Sequence, residues 1–145
     1  MRLTVQTDYA LRMLMHLAVN ANRLSTIAEI AERYGISKNH LMKVAQTLSG
    51  WKIVESVRGR AGGLRLARAP RFITLGSVAR PLEAESALVE CFPGGADACR
   101  ITPACKLKGV LAEAQEAFFT VLDGYTVEDL VHRNPALREL LTEAA

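Results

Sequence analysis

The turn Tyr34-Gly35-Ile36-Ser37 decides the fold of this chain. Before it, apolar residues recur at helical spacing from Thr26, where a Thr-x-x-Glu pattern marks a helix start. Gly35 can adopt the left-handed conformation that ends helices, and Ser37 can cap a third helix that is predicted to run to about Ser49. Two helices joined by so tight a turn are typical of a helix-turn-helix.

The outer side of the third helix carries side chains suited to DNA. Asparagine can pair with adenine, and lysine with guanine or phosphate. Such a surface is often only a solvated face, but the turn, the cap and the nearby basic residues together favour DNA binding. The candidate contacts are Ser37, Lys38, Asn39, His40 and Lys43.

A β-hairpin is predicted to follow the third helix. Residues 53–58 are strand-like, residues 59–63 form a glycine-rich turn, and residues 64–66 form a returning strand. Arg58 and Arg60 would lie at the tip of this wing, where they could enter a narrow minor groove or hold a phosphate. A nucleotide-binding loop is disfavoured, because no Gly-Lys-Ser/Thr ending is present and no helix follows directly.

Further helices are predicted on both sides of this unit. The first, from about Thr4 to Asn20, has an apolar stripe that includes Leu11 and Leu14, and Asp8 is expected to share its buried side. Residues 74–80 form a short helix that Pro81 should end or bend. Short helices are also predicted over residues 126–132 and 135–142.

A long helix over residues 105–123 carries a heptad-like apolar seam, which favours dimerisation over packing within one chain. The seam residues are Leu107, Leu111, Ala114, Phe118 and Val121, widened by Val110 and Leu122. The predicted fold is therefore mainly α. It comprises a winged helix-turn-helix domain at 1–82, a cysteine-bearing cluster-binding loop at 83–104, and a dimerisation helix with C-terminal helices at 105–145.

Composition limits the classes of function. The 145 residues suit one domain, and they are too few for a barrel of alternating strands and helices. No apolar run has the roughly 18 residues of a membrane helix, and charges within the first twenty residues argue against a secretory signal, so we expect a cytoplasmic protein. Residues 1–71 contain twelve Lys/Arg and four Asp/Glu, whereas residues 72–145 contain six and eleven. A basic front half suits a polyanionic partner.

The three cysteines follow the spacing Cys-x7-Cys-x5-Cys at Cys91, Cys99 and Cys105. Thiolates on one flexible loop can hold an iron–sulfur cluster, another metal, or act as redox thiols, and the spacing leaves these alternatives open. Structural zinc usually shows paired Cys-x2-Cys knuckles, which are absent here. No base–nucleophile pair is visible, so an enzyme is not expected.

The chain resembles a family of winged-helix iron–sulfur repressors over nearly its whole length, and most of all the nitric-oxide sensors among them. The matching segments are Leu3–Arg12, Tyr34–Leu41, Val57–Gly63, Cys99–Leu107 and Asp123–Leu130. Family members that regulate cluster assembly use a histidine three residues after the last cysteine, where this chain has Lys108. The seven residues between Cys91 and Cys99 make a longer gap than is common in the family.

The resemblance implies a ligand set and a function. Cys91, Cys99 and Cys105 would bind a [4Fe–4S] cluster, with [2Fe–2S] as the alternative. Asp8 of the partner subunit would be the fourth ligand, although a cap at the helix start is the other role open to Asp8. The chain would be a homodimeric repressor of a palindromic operator, released when nitric oxide nitrosylates the cluster. A sensor of iron, cluster status or redox is the alternative, followed by a zinc- or thiol-based module.

Overall fold

The computed structural model describes residues 1–142, which form seven helices and one hairpin. The helices are α1 (Val5–Val19), α2 (Ile27–Tyr34), α3 (Lys38–Gly50), α4 (Leu75–Glu83), α5 (Lys106–Asp123), α6 (Val127–Val131) and α7 (Pro135–Thr142). The strands are β1 (Val54–Val57) and β2 (Gly63–Leu66), and single 3-10 turns occupy Pro70–Phe72 and Thr102–Ala104. A mainly α fold with a small antiparallel wing is confirmed.

Side-chain caps begin the helices where the sequence predicts them. The hydroxyl of Thr26 accepts a hydrogen bond from the Glu29 amide, and that of Ser37 accepts one from the His40 amide. Gly35 ends α2 with φ 63° and ψ 41°, a left-handed conformation that costs glycine little. The oxygen of the Asn134 side chain likewise accepts from the Leu137 amide at the start of α7. The predicted helix-turn-helix is therefore present over α2 and α3.

The hairpin is attached to the helical core through the segment before α2. Val54 pairs with Leu66, and Val57 with Gly63. Ser25 and Leu64 exchange two backbone hydrogen bonds, with N–O distances of 3.0 and 2.8 Å. A side chain at Gly63 would place its Cβ 2.9 Å from the Ser25 carbonyl oxygen, so the hairpin can approach this closely only with glycine there. The base of the wing is thus held firmly beside the helix-turn-helix.

Helix α1 lies at the centre of the core. Its buried side includes Ala10, Met13, Leu14 and Leu17, which pack against apolar residues of α3, α4, α6 and α7. The C-terminal helices add Val127, Val131 and Leu141 to the same cluster. The segment that follows α5 therefore returns to the core formed by the first half of the chain.

The predicted position of Asp8 on the buried side of α1 is wrong. Its side chain is 45% exposed, whereas the neighbouring Thr7 is fully buried. The buried face is rotated from the predicted one because α3, α4 and α6 all pack on α1, and Leu11 and Met15 are only partly buried.

Helix α4 precedes the cysteine segment, which we define as residues 84–105. The helix continues through Pro81 to Glu83, two residues further than a stop at the proline would allow. Tertiary contacts hold this last turn. Arg80 joins α4 to α5, because its Nη2 lies 2.7 Å from Glu116 Oε1 and 2.6 Å from Asp123 Oδ2. These contacts offset the backbone hydrogen bond that a proline lacks.

Helix α5 is largely exposed within the described chain. Phe119 is its only buried residue, and it packs on the α4 side beneath the Arg80 guanidinium. Leu107, Val110 and Val121 of the predicted seam are each 60% exposed or more. No helix within residues 1–142 combines the length and apolar character needed to cross a membrane.

Candidate DNA-binding surface and cysteine segment

The outer face of α3 is exposed along its whole length. The predicted DNA contacts Ser37, Lys38, Asn39, His40 and Lys43 are all exposed. They share this face because the apolar residues Leu41, Val44 and Leu48 are buried against the core. The structure thus brings the predicted α3 residues together on one surface, and their contact with DNA remains a prediction.

Two grooves flank α3 and divide its exposed face. An open groove of about 690 Å³ separates it from the hairpin and is lined by Met42, Gln46 and Arg58, among others. A smaller groove on the other side is lined by His40 and Lys43 together with Val5 and Gln6 at the start of α1. The predicted site did not include Met42, which is 50% exposed beside the larger groove; only its position four residues after Lys38 indicated a shared face.

His40 is the α3 side chain that lies beside α1. Its ring centroid is 6.0 Å from that of Tyr9, with the planes tilted by 45°. A second contact joins the same elements, since the Gln6 amide nitrogen lies 3.5 Å from the Thr47 hydroxyl. The start of α1 therefore sets the surroundings of α3.

The wing carries unpaired positive charge at its tip. Arg58 and Arg60 are exposed and flank Gly59, whose φ of 114° requires glycine. Within residues 1–142 neither arginine makes an ion pair, whereas Arg65 further down the hairpin is paired with Glu55 at 2.8 Å. The tip therefore combines exposed basic side chains with little neutralising charge, which suits phosphate or a narrow minor groove.

Asp8 is engaged by a side chain of its own helix. Arg12 approaches it with both Nε and Nη2, at 3.0 and 2.9 Å from the two carboxylate oxygens. The Arg12 guanidinium also lies over the ring of Tyr34, whose hydroxyl donates a hydrogen bond to the Arg12 carbonyl oxygen at 3.0 Å. Burial raises the pKa of Tyr34 to about 12, so that donor stays protonated at neutral pH. Asp8 is thereby connected to the end of α2.

The three cysteines are free thiols, and each is partly buried. Cys91 precedes the buried Phe92, Cys99 precedes the short 3-10 turn, and Cys105 occupies the position immediately before α5 without a side-chain capping bond. The Cys99 carbonyl oxygen accepts a hydrogen bond of 2.8 Å from the Thr102 hydroxyl. Local turns thus hold the segment, which is folded despite its glycine and proline content.

The predicted ligands do not converge in the described chain. Among residues 1–142, no three side chains of His, Cys, Asp or Glu are placed so that they could hold one metal ion. The donors themselves suit iron, because three free thiols on one segment are soft ligands with no disulfide competing for them. The donor chemistry fits an iron–sulfur cluster, and the ligand set stays a prediction.

A family model described as "Rrf2: Iron-dependent Transcriptional regulator" matches residues 3–133. The chain belongs to the Rrf2 family. The HTH-type transcriptional regulator NsrR of Bacillus licheniformis is 48% identical over 98% of this chain and 100% of its own. The NsrR of Bacillus subtilis is 48% identical over 97% of both chains.

A solved structure titled "T. potens IscR" superposes on this Rrf2 chain with a TM-score of 0.71. That structure is 27% identical in sequence and covers 100% of this chain and 93% of its own. The protein is thus a winged-helix transcriptional regulator of the Rrf2 family rather than an enzyme. The predicted resemblance is confirmed.

Proposed function

We propose that this Rrf2 repressor binds a palindromic operator as a homodimer and releases it in response to nitric oxide, through an iron–sulfur cluster. The observation that carries the proposal is the set of three free, partly buried cysteines between α4 and α5 of a winged-helix chain. Its near-full-length similarity to regulators named NsrR supports the same assignment. A repressor of this kind acts where the DNA is, in the cytoplasm.

The cluster would be held by Cys91, Cys99 and Cys105 together with Asp8 of the partner subunit, most simply as [4Fe–4S]. When bound, the cluster supplies iron that reacts with nitric oxide. Lys108 cannot replace the aspartate as a ligand while it is protonated. Arg12 contacts both oxygens of Asp8, so iron would use a remaining lone pair of the carboxylate or displace one of these contacts.

The DNA would be read by the outer face of α3 and held by the wing. Asn39 and His40 would reach base edges, while Lys38, Lys43 and the Ser37 hydroxyl would fix the helix in the major groove. Arg58 and Arg60 would hold the flanking backbone or minor groove. The basic front half supports this interface, since neutralising phosphates provides most non-specific affinity.

Helix α1 would connect the two sites. It carries Asp8, and its first turns touch α3 through the pairs Gln6–Thr47 and Tyr9–His40. Release of Asp8 would leave α1 held only by its own chain, and the two α3 helices of the dimer would lose the spacing that adjacent half-sites require.

A titration of DNA binding against nitric oxide tests the proposal. Protein purified without oxygen is first used to enrich a high-affinity DNA duplex from a randomised library. The affinity of the protein for that duplex is then measured before and after the protein is exposed to nitric oxide. A coupling of about 1–3 kcal/mol predicts a loss of roughly 5- to 150-fold. Equal affinity before and after nitric oxide would contradict the proposal.

A sensor of iron or cluster supply is the second candidate, favoured by the family description as iron-dependent. It uses the same residues and predicts release after iron chelation with no response to nitric oxide. The same duplex separates the two candidates when the protein is exposed to a chelator, to an oxidant and to nitric oxide in parallel.

A further inference from the structure

Glu83, the last residue of α4, is the only buried acidic side chain among residues 1–142. It is 8% exposed, and no Lys or Arg within that range pairs with it. Its Oε1 instead accepts hydrogen bonds from the start of α1. The Thr4 amide and the Thr4 hydroxyl both donate at 2.9 Å, and the Thr7 hydroxyl also donates to the same oxygen.

These hydrogen bonds fix the start of α1 relative to the end of α4. A buried carboxylate without a cation is costly unless hydrogen bonds and a favourable field offset the loss of water. The amino end of α1 provides both, through three donors and the positive end of its dipole. Moving α1 by a fraction of a turn would break these bonds and leave the charge unpaired.

On the other side, Glu83 adjoins the cysteine segment. Its carbonyl oxygen accepts from the Ser86 amide at 2.9 Å, which turns the chain out of α4. The segment then folds back, since a Cβ at Gly94 would lie 2.5 Å from the Glu85 carbonyl oxygen. A rearrangement around Cys91 or Cys99 would therefore act directly on the end of α4.

We propose that Glu83 is a positioning residue that transmits the state of the cysteine segment to α1, and through Gln6 and Tyr9 to the DNA-facing helix α3. This inference rests on the proposed function. In the described arrangement of the segment, Glu83 holds the first turn of α1 and thereby the position of the exposed α3 face. A rearrangement of the segment on cluster binding or loss would move the carboxylate and change this hold on α1.

Three variants separate this role from a simple structural cap. Glu83→Gln keeps an acceptor oxygen but removes the charge, and Glu83→Ala removes both. Glu85→Gln is the matched control, because Glu85 is an exposed acid two residues away. The cysteines are untouched, so all variants are compared at equal cluster content, checked by absorption and iron analysis.

The first measurement is hydrogen exchange of the cluster-free protein. We expect faster exchange at the amides of residues 4–8 in Glu83→Ala, a smaller increase in Glu83→Gln and none in Glu85→Gln. Wild-type exchange rates at these amides in Glu83→Ala would overturn the inference, because α1 would then not depend on this carboxylate.

The second measurement is the ratio of DNA affinities with and without the cluster, on the enriched duplex. A purely structural cap would weaken both forms alike and leave the ratio unchanged. We expect Glu83→Ala to reduce the ratio by about fivefold or more, with Glu83→Gln between it and the wild type. An unchanged ratio in Glu83→Ala overturns this inference alone, whereas a wild-type ratio near one overturns the proposed function as well.

Discussion

The role of a side chain on α3 depends on the element that packs beside it. His40 is a simple example: it is exposed on the DNA-facing helix, yet its ring lies beside Tyr9 of α1. A side chain supported in this way is restricted in direction, and restricted direction is what base recognition requires. Lys43, one turn further along, has a longer and freer side chain that suits phosphate.

We predict that His40→Ala relaxes sequence specificity. Loss of one base contact should cost about 1–3 kcal/mol on the enriched duplex and much less on random DNA. Lys43→Ala is the comparison, because a phosphate contact should weaken binding to both duplexes alike. Fluorescence anisotropy with the two duplexes measures this. An equal loss on both for His40→Ala would assign His40 to the backbone.

His16 provides a residue-scale prediction about pH. Its side chain is fully buried, and neither ring nitrogen has a hydrogen-bond partner among the described residues. Burial lowers the pKa of His16 below its ordinary value of 6.5. The Glu29 carboxylate, 3.4 Å from Nε2, raises this pKa, but burial has the larger effect, and the charges of Arg23 and Arg33 lower the pKa further. As pH falls, His16 is therefore protonated in the unfolded chain before it is protonated in the folded chain.

We expect the free energy of unfolding to be largest above about pH 6.5 and to decrease towards the lower folded-state pKa, by at most about 1.4 kcal/mol per pH unit from this group. In His16→Leu this part of the decrease should disappear. Urea unfolding of cluster-free protein at pH 7.5 and 5.5 tests it, with the exposed His132→Gln as control. The same pH dependence in wild type and His16→Leu would refute the assignment.

At the level of secondary-structure elements, α5 is a helix whose apolar side chains are largely exposed in the single chain. One side is fastened to α4 by Arg80, which binds Glu116 and Asp123. The predicted seam lies on another side, with Leu107, Val110 and Val121 exposed. Apolar side chains at heptad-like spacing are best buried by a second copy of the same helix.

We predict that Val121→Glu converts a dimer into a monomer, because it places a charge in the seam. Thr120→Glu, an adjacent exposed position off the seam, should leave the dimer intact. Sedimentation velocity gives the mass of each, and the DNA titration shows whether affinity is lost with the dimer. A Val121→Glu dimer, or a monomeric wild type, would contradict the assigned interface.

At the scale of the whole molecule, the parts predicted to be separate share one core. Residues 105–145 were predicted as a dimerisation unit beside the DNA-binding domain at 1–82, and that division stays a prediction. The structure adds that α6 and α7 pack on α1 through Val127, Val131 and Leu141. A change at the cysteine segment can therefore reach α1 from α4 through Glu83, while Leu141 and Arg138 of α7 contact the other end of α1.

Local patterns in the sequence were enough to predict the helices, the hairpin and their order, because these elements depend on interactions between nearby residues. The left-handed Gly35, the hydroxyl caps and the glycine-rich turn of the wing specify the helix-turn-helix and hairpin through interactions between residues close in the chain. The cysteine spacing and the apolar seam also come from the sequence, and the cluster ligands and the dimer interface that they predict stay predictions.

The buried face of α1 and the contacts that hold its first turn depend instead on packing between distant segments. Several helices pack on α1, which moves Asp8 out of the core and buries Thr7 instead. Glu83 reaches Thr4 across 79 residues of sequence, and tertiary contacts carry α4 past Pro81. Such contacts join residues distant in the chain, so no local pattern contains them; they arise only when the core brings α1 and α4 together.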